Sequence, residues 1–239
     1  MTHLTNTLRK YSFPDSTISR LANFKPRTGF RLVKEKEFAE MTNHFRKYLP
    51  PLSFIPLFAD NANYLCVYVD GPLKGKICEW HHEECALAPM FRSVDSLLAA
   101  IESNPECDDW IDLPQDYPQP DDDTFTIEDE ESLLLLHNIY NSVKSFKEDF
   151  EDENSEQNRK YVLRVQTAYC ICALTPPKKI TTLIPFLDDD DMFVQEQAIW
   201  TFGEHRYRPV LQKIQELLTT AKSNGRIAAK GALLKMEQH

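Results

Sequence analysis

Apolar and polar positions change period along the chain, and each change marks an expected element. Phe38, Met41, Phe45, Tyr48 and Leu49 recur at helical spacing, and Pro50-Pro51 stops that helix. The period then shortens to two. Residues 54–58 are a short apolar run, and Asp60-Asn61-Ala62-Asn63 reads as a turn. In Tyr64-Leu65-Cys66-Val67-Tyr68-Val69 the side chains alternate, with Leu65, Val67 and Val69 on one face and Tyr64, Cys66 and Tyr68 on the other. A Gly-Pro loop at 70–75 leads to a second strand over 76–81. Ser93 is a natural N-cap for a helix whose apolar face is Val94, Leu97, Leu98 and Ile101. Residues 1–30 show no clear period and read as an irregular arm.

Beyond residue 104 the texture changes twice. Residues 105–127 hold Pro105, Pro114, Pro118 and Pro120 among many acids, the composition of a linker. From about Glu128 helical spacing runs to the end: a first helix with Leu133, Leu136, Ile139, Tyr140, Val143 and Phe146, then a second from Tyr161 to Ala173 closed by Pro176-Pro177. A short third helix carries Ile180, Leu183, Ile184 and Leu187, and three more follow around Ala198, Ile214 and Ala229. They repeat: Ala198, Thr201 and Phe202 recur as Ala229, Ala232 and Leu233, and Leu183 and Leu187 as Ile214 and Leu218, at one common offset. A single hairpin cannot bury its own apolar face, so such units stack. The fold class expected is α+β: a small antiparallel sheet with flanking helices over 1–104, an acidic Pro-rich linker over 105–127, and an all-α hairpin stack over 128–239.

Charge sharpens this division. The 239 residues carry a net −10, but residues 105–158 alone hold 2 basic and 18 acidic side chains, while 1–104 and 159–239 are slightly basic. An acidic stretch repels nucleic acid and attracts basic protein surfaces; as a plain linker it would only be well solvated. No run of apolar residues is long enough to span a bilayer, and the first residues, MTHLTNTLRKYSFPDS, contain no secretory signal. The six cysteines (66, 78, 85, 107, 170 and 172) are therefore expected as reduced thiols in a cytoplasmic protein.

Two resemblances follow. Residues 183–203, with Leu183, Pro185, Phe186 and Leu187, the acids 188–191, then Val194, Ala198, Phe202 and Gly203, resemble a HEAT-type repeat. That implies binding of another macromolecule along a concave face; some HEAT-like proteins are DNA glycosylases or bilin lyases, but no basic stripe suited to DNA accompanies the motif here. Residues 54–60, 63–70, 74–81 and 91–98 together resemble the SUKH superfamily of Smi/Knr-type proteins: two strands, a Trp at position 80, and a helix started by Ser93. The chain departs from that pattern at Asp60-Asn61, where an acid–glycine pair is common. The SUKH resemblance implies a non-catalytic binding protein, in bacteria an immunity protein against a toxin and in fungi a regulator of cell-wall synthesis.

Candidate chemistry is thin. His81-His82-Glu83-Glu84-Cys85, near Cys66 and Cys78, is the one cluster of metal-binding types, but adjacent strand residues point apart and the His-Glu-x-x-His spacing is absent. Neither a phosphate-binding Gly-rich loop nor a Gly-x-Ser-x-Gly elbow occurs. No metal, cofactor or catalytic residue is expected. Cys170 and Cys172 read as buried apolar thiols. The expected partner is a protein with a basic surface, a toxin held by occlusion; the alternative is a regulatory scaffold using the helical stack. Candidate contact residues are Trp80, Cys78, Tyr64 and Tyr68 on one sheet face, and Asp121, Asp122 and Asp123 in the acidic stretch.

Overall fold

A computed structural model describes residues 3–48, 53–60, 62–82, 87–152 and 154–237. Two eight-residue helices, α1 (His3–Lys10) and α2 (Asp15–Ala22), occupy the segment expected to be irregular. Each buries only a few side chains, Leu4 and Leu8 on α1, Ile18 and Leu21 on α2, too few for a period to show in sequence. Strand β1 (Arg31–Leu32) follows, then α3 (Glu35–Tyr48), at the position its apolar stripe predicts.

The sheet has five antiparallel strands in sequence order: β1, β2 (Phe54–Asp60), β3 (Asn63–Tyr68), β4 (Ile77–Trp80) and β5 (Pro89–Phe91). Strands β1 and β5 are too short for alternation to reveal them. Tyr64 pairs with Trp80 and Cys66 with Cys78, so Tyr64, Cys66, Tyr68, Cys78 and Trp80 share one face. A register shift between Pro56 and Phe58 returns Phe58 to the opposite face, beside Leu65. Both faces are covered, which is why β3 is buried almost throughout. On the tyrosine face, Phe45 of α3 packs on Phe54, Tyr64 and Trp80. On the other, Phe24 meets Phe58 edge-on and the Trp110 indole N–H donates to Glu79 at 3.0 Å.

Helix α4 (Val94–Ser103) starts at Ser93 in a reciprocal capping box with Ser96. The helical region comprises α5 (Ile127–Val143), α6 (Glu156–Leu174), a 3-10 segment (Pro177–Asp188), α7 (Met192–Glu204), α8 (Leu211–Thr220) and α9 (Ser223–Glu237). The third expected helix is thus 3-10, not α; Pro185 within it lacks the N–H an α-helix would use. Side-chain oxygens of Thr126, Ser155 and Asp191 cap α5, α6 and α7.

Helix α7 packs on α6, the 3-10 segment and α9, and small residues set its closest approach. A Cβ on Gly203 would lie 2.7 Å from the Ala232 Cα, and one on Gly231 would lie 2.4 Å from the Trp200 ring. Sheet and helices share one continuous apolar core. Residues 105–127 do not stand away from it: Trp110, Leu113 and Tyr117 are buried. The backbone of this segment is tied to both sides, with the Asp116 and Tyr117 N–H groups donating to Met90 O and the Gln119 N–H to Ala173 O at 2.8 Å.

Candidate binding surface

The aromatic and thiol candidates on the sheet lie inside the molecule. Cys78 and Tyr68 are fully buried, Tyr64 nearly so, and Trp80 is half-buried. Helix α3 covers the Tyr64–Trp80 end, where the His44, Phe45 and Tyr64 rings all lie within 6 Å of Trp80. The other end meets α6: the Tyr68 hydroxyl donates to Leu87 O at 2.6 Å, and the Cys170 thiol reaches the same carbonyl at 3.7 Å. Burial, then the Glu37 carboxylate, pushes the Tyr64 phenol up to about 12. Tyr64, Tyr68 and Cys78 belong to the core between sheet and helices, and Trp80 packs against it half-buried; their alternation was legible in the sequence, but the helix over each end was not.

The metal-type cluster is described only at His81 and His82, whose rings stack at 4.8 Å, with His82 Nδ1 2.9 Å from the Asn63 side-chain oxygen. Glu83, Glu84 and Cys85 lie outside the described residues. Cys66 and Cys78 face each other across β3 and β4, and burial raises the Cys66 thiol well above its ordinary range.

The acidic stretch contains two populations. In the first, carboxylates serve the fold. Asp129 on α5 is fully buried where helices meet sheet. It accepts from Lys76 Nζ at 2.6 Å and the Tyr117 hydroxyl at 2.5 Å, pairs with Arg92, and is bonded to Thr126 in the α5 capping box. Burial opposes its ionisation, but the hydrogen bonds from Lys76, Tyr117 and Arg92 outweigh that and hold it far below the usual carboxylate range. Asp116 accepts from the Arg92 N–H at 2.8 Å, and Asp122 from the Lys178 N–H at 2.9 Å. Asp121 closes a local turn by accepting from the Asp123 and Thr124 N–H groups.

The second population faces solvent. Asp123, Glu128, Glu131, Glu148 and Glu151 are exposed, while Asp121 and Asp152 are exposed and also accept backbone N–H groups. Among them stands Phe150, 87% exposed between Asp149 and Glu151. It stands in the acidic run Glu148-Asp149-Phe150-Glu151-Asp152, a pattern that does not by itself give exposure, since Trp110 in Asp108-Asp109-Trp110-Ile111-Asp112 is buried. The exposed acids therefore stand at both ends of α5, Asp121 and Asp123 before it and Glu148, Glu151 and Asp152 with Phe150 after it, about 25 Å apart along the helix. Among the described residues no group of three or more metal-binding side chains converges, and no helix is long and apolar enough to cross a membrane. No family model, curated protein or solved structure matches the chain.

Proposed function

We propose that the protein is a non-catalytic binding protein whose outward acids, Asp123 before α5 and those flanking exposed Phe150 after it, hold a basic protein partner. The resemblance of residues 54–98 to the SUKH superfamily makes that partner a toxin and the role that of an immunity protein, acting by occlusion. The observation that carries the reading is the 87% exposed Phe150 among exposed acids. Aromatic side chains dominate interface energy when desolvated, while exposed charges steer encounter and choose the sign of the partner.

The test is a kinetic binding titration against the basic protein encoded beside the gene, across salt. Phe150→Ala is expected to raise the dissociation rate by about tenfold or more. Asp123→Lys should slow association, most at low ionic strength where screening is weakest. Binding unchanged by both variants, or absent up to roughly 100 µM, would remove the proposal. A metabolic or wall-synthesis partner captured by the helical region instead would favour the scaffold reading.

A further inference from the structure

The helical region leaves two amphipathic faces uncovered at opposite ends, and their chemistry is reciprocal. On α5 the buried side is Leu133, Leu136, Tyr140 and Val143. The opposite side presents Ile127 (62% exposed) and Leu134 (63%) with exposed Glu131 between them. Helix α9 turns its small residues, Gly225, Ala228, Ala229 and Ala232, inward. Outward it presents Ile227 (65%) and Leu234 (55%) with exposed Lys230 between them and Arg226 alongside. At 3.6 residues per turn each trio lies within about 60° of arc, so each is a single stripe.

Spacing matches as well as charge. Along α5 the order is apolar, acid four residues on, apolar three further. Read backwards along α9, it is apolar at Leu234, base four residues back at Lys230, apolar three further back at Ile227. Laid antiparallel, Ile127 faces Leu234, Glu131 faces Lys230 and Leu134 faces Ile227 in one register. Helix α9 thus turns two large apolar side chains, Ile227 and Leu234, outward around one base.

We infer that α5 of one molecule packs antiparallel on α9 of a second copy of this chain. The contact joins two different surfaces, so association is head-to-tail and can extend beyond a dimer. One helix pair buries an area at the small end of the interface scale, so the contact is weak and concentration-dependent. This goes beyond the binding proposed above and does not depend on it: it uses Glu131 and the C-terminal helix, not Phe150 or Asp123.

Sedimentation equilibrium of the full chain from roughly 5 µM to roughly 500 µM tests it. The wild type is expected to gain mass with concentration. Glu131→Lys and Lys230→Glu, alone, should each weaken association about tenfold through like-charge juxtaposition. Mixing the two variants, or combining both changes in one chain, should restore it. Leu234→Ser, also on the exposed face, should weaken association without altering the circular dichroism melt. A wild type that is monomeric throughout, association indifferent to both charge reversals, or a mixture that fails to recover would each overturn the inference.

Discussion

Replacing Asp129 by Asn probes the joint between sheet and helices directly. The carboxylate is fully buried, and Lys76, its partner at 2.6 Å, is only 5% exposed. Asn keeps the size but removes the charge, and its amide donors confront a buried ammonium. Removing one partner of a buried ion pair costs about 3–5 kcal/mol, because the other charge remains desolvated and unmatched. For a chain of this length that lowers the melting temperature by roughly 6–20 °C. Lys76→Met combined with Asp129→Leu removes both buried charges and leaves Arg92, which is partly exposed, free to turn to solvent; the double variant should lose less than Asp129→Asn alone. The assay is urea unfolding followed by circular dichroism. The pH dependence has a definite sign. Asp129 is depressed in the folded state, so its contribution is present above the unfolded carboxylate pKa of about 3.9 and is lost as pH falls below it. The gap between wild type and Asp129→Asn should therefore be widest near neutrality and narrow below about pH 4. A cost under about 1 kcal/mol at neutral pH would refute the claim that this network holds the two parts together.

Two further outcomes follow from the packing. Gly203→Ala drives a methyl into Ala232 and should cost about 1–3 kcal/mol in the same urea assay, unless α7 and α9 separate more easily than their contact implies. Burial pushes the Cys170 and Cys172 thiols up to about 12, and Cys66 and Cys78 are equally inaccessible, so maleimide at pH 8 should label these four only on unfolding, as read by mass spectrometry, while half-buried Cys107 reacts in the native state. Rapid native labelling of Cys78 or Cys170 would show that the seam between sheet and α6 opens.

What the sequence disclosed depended on how many residues an element spends on its own pattern. Helix α3 spends a full stripe, α4 a capped stripe, and β3 six alternating residues, and all three were legible with their boundaries nearly right. Helices α1 and α2 bury two or three side chains each, and β1 and β5 span two or three residues, so no period could form. Tertiary contacts were the other blind spot. Alternation placed Cys78 and Trp80 on one face correctly, yet could not show that α3 and α6 close over it, because those covers come from distant sequence. Residues 105–127 illustrate the same limit. Proline and acid content describe a solvated linker, while Trp110, Leu113 and Tyr117 anchor the segment in the core.

That anchoring changes how the charge of the acidic stretch should be read. A net −16 over residues 105–158 suggests a uniform electrostatic surface, but part of that charge is spent internally. Asp129 is neutralised by Lys76 and Arg92, and Asp116, Asp121 and Asp122 accept backbone N–H groups. A reversal at those positions would unfold a turn or a joint, and any loss of binding would report lost structure. Asp123, Glu148 and Glu151 are exposed, and reversal there perturbs the field while leaving the joint intact. The backbone N–H groups of Asp116, Tyr117 and Gln119, bonded to Met90 and Ala173, fix the segment that carries Asp123 across β5 and α6. An association rate that responds to Asp123 and to salt, in protein whose melting temperature is unchanged, is accordingly the signature that separates a docking surface from a well-solvated edge of the fold.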